Sequence, residues 1–182
     1  MFLKRDDGLD RIFLPFDLAA LALAIWLTAA GDVRGIRLVP VLIGWWIAAF
    51  LGLLVAFYLI VWLFSLTVNM KTAPETDHPL ARAIVVCIIG QLCRFARVRI
   101  HCEGLEKIPE GRFLLVSNHR ALYDPITTIW ALRKTPTAFV TKPENLKIPL
   151  AGPMIFRANY LPINREDPRE AMKTINAAAK LL

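Results

Sequence analysis

Charge is missing from one long stretch of this 182-residue chain: Leu38 to Met70 is 33 consecutive residues without Asp, Glu, Lys or Arg, and it contains VLIGWWIAAFLGLLVAFYLIVWLF. A membrane-spanning helix needs only about 20 apolar residues, and 33 would reach roughly 50 Å, beyond a hydrocarbon core of about 30 Å. Part of the run must therefore tilt, lie in the interface or leave the membrane. Cysteine is scarce too. Cys87, Cys93 and Cys102 are odd in number and lack metal-ligand spacing, which argues against a disulfide framework and fits reduced, buried thiols in a cytosolic domain. His101 beside Cys102 lacks the further ligands a metal site needs, so no metal is expected. Internal repeats and low-complexity segments are absent. So is any interleaving of aromatic and basic residues after Lys71, which argues against nucleic acid as a partner.

What is present begins with a weaker apolar segment, Phe13 to Ala30, in which Pro15 and Asp17 leave only Leu18 to Ala30 clean. A secretory signal is the competing reading, because basic residues precede it and Ala29 and Ala30 end it. Asp6, Asp7, Asp10 and Asp17 are wrong for the basic start of a signal, and a stronger apolar segment follows at once. The favoured reading is a membrane helical hairpin over residues 1–70, turning at GDVRGIR, with a shorter first arm that need not cross both leaflets. Residues 1–68 hold 5 basic and 5 acidic residues, so the other 17 basic and 10 acidic residues supply the whole net charge of +7. A basic part beside a membrane anchor suits anionic headgroups or phosphate-bearing substrates, with membrane lipids as the partner surface. Lys4, Arg5 and Arg11 precede the hairpin, and Lys71, Arg82, Arg94, Arg97 and Arg99 follow it. This bias puts both flanks on the cytoplasmic side, as expected for an integral protein of a bacterial inner membrane.

Residues 71–79, polar and carrying two prolines, read as a linker, and residues 80–182 as a second domain. LARAIVVCIIGQLCRFARVR has helical apolar spacing. It is either an interfacial helix, with Arg94 and Arg97 toward phosphates and Ile84, Ile88, Leu92 and Phe95 toward acyl chains, or a helix packed on the core of the second domain. RVRIHCEG and RFLLVSN are strand-like and separated by a Pro- and Gly-containing turn. Asp124 and Pro125 resemble the N-cap and first residue of a helix, PITTIWALRK, and TAFVTK is a further strand candidate. Asp167 and Pro168 repeat the cap signal before PREAMKTINAAAKLL. Strands alternating with helices predict an α/β domain. The final helix is still amphipathic at Leu182, so the domain is expected to be incomplete at its C-terminus.

SNHRALYDP, residues 117–125, carries the chemistry. A surface histidine before a capped helix would account for His119 and Asp124 without any reaction. Yet His119 follows the expected strand FLLVS, and open α/β sheets hold ligands at strand carboxyl ends. An aspartate fixed at a helix start can also hold one imidazole nitrogen and leave the other free to take a proton.

NHRALYD matches the Asn-His, four residues, Asp motif of the glycerolipid acyltransferases, and the chain resembles the 1-acyl-sn-glycerol-3-phosphate acyltransferase family. EGLEKIPEGRFLLVSNH is similar to the family's lead-in, and NYLPINR, Asn159 to Arg165, to its second block. The resemblance implies a glycerolipid-acyltransferase-like α/β domain after the hairpin. It implies transfer of an acyl group from acyl-CoA or acyl-carrier protein, as co-substrate rather than cofactor, to the 2-hydroxyl of 1-acyl-sn-glycerol-3-phosphate (lysophosphatidate), giving phosphatidate for phospholipid biosynthesis. Acceptance of another lyso-lipid, or a non-catalytic role in binding lipid phosphates, are the alternatives. His119 would be the general base, Asp124 would orient it, and Asn118 would support the motif. Ser117 need not be a nucleophile and is expected to be a buried strand-end serine. Arg165 would bind the substrate phosphate, with Lys142 assisting as a point charge. Asn159 stands where relatives often have Gly, and Asn tolerates positive φ. Asn164 replaces a common Asp and leaves Arg165 less internally paired. The family's third block, Phe-Pro-Glu-Gly-Thr-Arg or similar, is absent from these 182 residues.

Overall fold

A computed structural model describes residues 11–72, 74, 76, 78–111, 113–118, 120–121 and 123–180. Two apolar helices come first. Helix α1 spans Leu14–Ala30, with Pro15 in the first turn, where no intrahelical N–H is lost. Helix α2 spans Leu38–Ser65, 28 residues or about 42 Å. The two lie side by side, Phe13 edge-on to Phe50 and Phe16 edge-on to Phe57, with ring centroids 6.1 and 5.6 Å apart. Helix α2 is long and apolar enough to cross a membrane, and little of it is buried inside the fold. A core helix of a water-soluble protein would be mostly covered, so this exposure suggests membrane association.

The overlong apolar run divides between two environments. Phe57, Val61 and Phe64 share one helical face, and with Val68 beyond the helix end they pack against a core of Ala81, Ile84, Val85, Ile129, Met154, Ala158 and Tyr160. Val61 is 1% exposed, whereas Ile60 and Trp62 on either side of it are open. Tyr58 adds a polar tie, its hydroxyl donating to Gln91 Oε1 at 2.5 Å, while Gln91 Nε2 donates to Cys87 Sγ at 3.5 Å. With Gln91 only 2% exposed, these bonds meet the need of a buried amide for partners.

Helix α3, Pro79–Phe95, starts at a histidine cap: His78 Nδ1 accepts from Ala81 N at 3.2 Å, and Pro79 follows as the first helical residue. The core-packed reading fits the face of this helix that carries Ile84, Val85 and Ile88. Ile84 is buried and Ile88 packs on the core, but Leu92 and Phe95 are exposed, Phe95 stacking edge-on to Phe13. Gly90 sets how closely the neighbouring elements approach α3. A Cβ there would stand 2.5 Å from the Trp130 ring and 2.9 Å from Ile12 Cδ1. Gly90→Val is therefore expected to cost about 1–3 kcal/mol by overpacking and to lower the thermal midpoint of the detergent-solubilised protein; an unchanged midpoint would contradict this packing.

The remaining elements are α4 (Asp124–Ala131), β1 (Phe139–Thr141), a 3-10 turn (Pro143–Lys147), α5 (Ala151–Arg157), β2 (Tyr160–Pro162) and α6 (Pro168–Lys180). Strands β1 and β2 pair in parallel, Phe139 opposite Tyr160 and Thr141 opposite Pro162. Parallel neighbours need a crossover, and the 3-10 turn with α5 supplies it. The expected α/β domain thus appears as a mostly helical fold with a two-stranded parallel sheet. TAFVTK forms its strand. RVRIHCEG and RFLLVSN form none among the described residues, and Leu114 and Val116 are 76% and 82% exposed. Strand propensity in Val and Leu largely reports packing against neighbouring strands, and no described strand lies beside this segment.

Candidate active site

Asp124 takes a different place from the one its sequence context suggests. It is the first residue of α4 rather than the cap before it; Tyr123 occupies the cap position and makes no side-chain cap bond. A capping side chain must come from the residue preceding the helix, and side chains inside a helix tilt toward its N-terminus. The Asp124 carboxylate accordingly reaches backward, Oδ2 accepting from Arg120 N at 2.6 Å and Ala121 N at 2.9 Å. It holds the two residues that follow position 119. Asp167 shows the contrast: its Oδ1 accepts from Arg169 N at 2.8 Å and Glu170 N at 3.3 Å, a true cap on α6.

Behind Asp124, α4 is anchored through its backbone. The hydroxyls of Thr127 and Thr128 donate to the Asp124 carbonyl at 3.0 and 2.8 Å, and Ile129 and Trp130 are buried. His119 lies outside the described residues. Asn118 and Ser117 are exposed, and neither lies on a strand, so the expected burial of Ser117 at a strand end does not hold.

A strand-end cavity does exist, but on β1 and β2. Lys142 directly follows β1, and Arg165 lies three residues beyond β2, so the parallel strands deliver both to their common carboxyl end. Together they line a cavity of about 860 Å³. Helix α6 forms another wall with Glu170, Lys173 and Thr174, and the Thr174 hydroxyl donates to the Pro162 carbonyl at 2.9 Å. Glu144 and Glu166 complete the charged lining, which therefore holds three basic and three acidic side chains. None of Lys142, Arg165 or Lys173 forms an ion pair among the described residues. Asn164 Nδ2 donates to Glu170 Oε2 at 3.3 Å and its Oδ1 accepts from Glu166 N at 3.0 Å, so this amide bonds glutamate residues on either side rather than Arg165. Asn159 adopts φ 64°, the positive value expected where relatives often carry Gly.

Two kinds of buried group fall outside acid–base work. Burial pushes the Tyr160 phenol up, with Arg82 acting the other way, so the hydroxyl stays protonated in the core. Burial also raises the Cys87 and Cys93 thiols, which keeps them poor nucleophiles.

Residues 99–182 match the family model described as Acyltransferase. The match supports an acyltransferase domain over that segment, and with it acyl transfer in general. It covers β1, β2, α4, α5, α6, the Asn118–Asp124 motif and all the residues that line the cavity. No curated protein and no solved structure matches the chain.

Sequence reasoning missed Glu144, Glu166, Glu170, Lys173 and Thr174 as cavity residues. A signal for three of them was nonetheless present. The Asp167–Pro168 cap starts α6 just after Arg165, and positions 170, 173 and 174 then recur on one helical face beside it.

Proposed function

We propose that this protein transfers an acyl group from acyl-CoA or acyl-carrier protein to the 2-hydroxyl of 1-acyl-sn-glycerol-3-phosphate, giving phosphatidate at the cytoplasmic surface of a membrane. The reading is carried by one observation: Lys142 and Arg165, brought from separate strands, line a single cavity inside the segment that matches the acyltransferase model. A guanidinium presents paired N–H donors to a phosphate, and an ammonium adds a point charge beside it.

In the reaction, His119 takes the proton of the acceptor hydroxyl. The oxygen attacks the thioester carbonyl, the carbon–sulfur bond breaks, and the thiolate leaves to collect a proton. No acyl-enzyme forms, which suits an exposed Ser117. Asp124 has a double part, holding Arg120 and Ala121 in place and supplying negative charge near the imidazolium that forms. Asn118 supports the same turn.

The test is acyl transfer by the full-length protein to lysophosphatidate in mixed micelles. Arg165→Ala is expected to raise acceptor KM by on the order of tenfold, the equivalent of a lost charge-assisted hydrogen bond of about 1.5–3 kcal/mol, while kcat changes little. Arg165→Lys should recover part of that loss. An unchanged acceptor KM in Arg165→Ala would remove the phosphate role, and no transfer by the wild-type protein would remove the function.

A further inference from the structure

We infer that Lys173 is a third phosphate-binding cation of this site and that its balance against Glu170 sets acceptor affinity. The inference rests on the acyl-transfer reading above and extends it to a residue on α6. Lys173 lines the same cavity as Lys142 and Arg165. Its position is fixed from the adjacent residue, since the Thr174 hydroxyl bonds the Pro162 carbonyl at the end of β2. The helix therefore cannot slide along the sheet without breaking that bond, and the base of the Lys173 side chain stays beside the strand ends. No ion pair among the described residues occupies the ammonium.

Charge counting gives Lys173 more weight than a surface lysine ordinarily has. The lining holds Lys142, Arg165 and Lys173 against Glu144, Glu166 and Glu170, so the empty cavity is formally neutral. A phosphate entering it gains nothing from a general excess of positive charge and depends on direct contact with the cations. Removing Lys173 leaves two cations against three carboxylates, and the phosphate then meets a net negative wall. Removing the charge of Glu170 does the reverse. Glu170 is the informative partner because it lies one turn before Lys173 on α6 and already accepts from Asn164 Nδ2, a contact that glutamine can retain through its own carbonyl oxygen.

The experiment measures acceptor KM and kcat of the full-length protein with lysophosphatidate in mixed micelles, at low and high salt. Lys173→Ala is expected to raise KM by on the order of tenfold, as for loss of a charge-assisted hydrogen bond, with kcat nearly unchanged. Lys173→Arg should keep wild-type affinity. Glu170→Gln alone should lower KM by roughly twofold, and added to Lys173→Ala it should restore part of the lost affinity. All these differences should shrink as salt screens the charges. A purely structural lysine would not be rescued by neutralising a glutamate, nor would its effect depend on salt. Wild-type KM in Lys173→Ala, or no rescue by Glu170→Gln, would overturn the inference while leaving acyl transfer intact. Absence of transfer by the wild-type protein would overturn both.

Discussion

Replacing His119 by alanine is expected to reduce acyl transfer by about 10²- to 10⁴-fold, the usual contribution of a positioned general base, with acceptor KM almost unchanged. The reason lies in the reaction. A glycerol hydroxyl is a weak nucleophile, and the barrier falls when its proton is taken as the carbon–oxygen bond forms. The Asp124 variants separate the two duties assigned to that carboxylate. Asp124→Asn keeps an oxygen for the Arg120 and Ala121 amides, now 2.6 and 2.9 Å from Oδ2, but removes the charge. Asp124→Ala removes both and leaves two N–H groups without that acceptor, so it should be the slower variant. Combined with His119→Ala, either change should add little, because residues acting as one unit are not additive. Rates for His119→Ala close to wild type, measured by single-turnover transfer to lysophosphatidate, would end the assignment of the base.

The hairpin, the Lys142 and Arg165 pair proposed to bind phosphate and the Asn118–Asp124 motif stood out in the sequence for different reasons. An unbroken apolar run is a one-dimensional signal, and α2 follows it almost from end to end. What the run does not disclose is which part of it packs on the rest of the fold. That division depends on Phe57, Val61, Phe64 and Val68 meeting α3 and α5, and the same residue types would face acyl chains equally well. Lys142 and Arg165 were found only through the family's blocks, since nothing in their local sequence says that β1 and β2 are neighbours. Glu144, Glu166 and Glu170 went unread because surface carboxylates are common and their convergence is a tertiary fact.

Asp124 teaches a related point about local signals. Asp-Pro before an apolar helix predicts a cap at two places, and the structure supplies one at Asp167 and not at Asp124. The difference is one residue of helix register. At Asp167 the helix begins with the following Pro168, whereas α4 begins at Asp124 itself and turns the carboxylate back on the preceding loop. For the function proposed, that register matters more than capping would. A cap stabilises the helix it starts, but the carboxylate of Asp124 organises the backbone next to position 119.

The second large effect is expected at Gly152, and it joins the packing of the fold to the cavity. A Cβ at this position would run into the carbonyl group of Leu146, closer than real Cβ contacts come, and the obstacle is backbone rather than a flexible side chain. Leu146 belongs to the 3-10 turn Pro143–Lys147, which leads from Lys142 and carries Glu144 into the cavity wall. The adjoining backbone has little room to yield. Leu150 already holds φ 63°, a costly value for a side-chain-bearing residue, and Gly152 N donates to Ile148 O at 2.7 Å. Gly152→Ala is therefore expected to destabilise the protein by about 1–3 kcal/mol or more and to displace the turn that sets Lys142. Its signature should be a lower thermal midpoint together with a raised acceptor KM. Gly111→Ala is a useful control, because Gly111, unlike Gly152, has positive φ but has open space around its Cβ direction and lies outside the cavity lining. It should cost stability through backbone strain alone and leave acceptor KM unchanged. Equal KM values for Gly152→Ala and wild type would show that the turn and α5 are not mechanically coupled to the acceptor site.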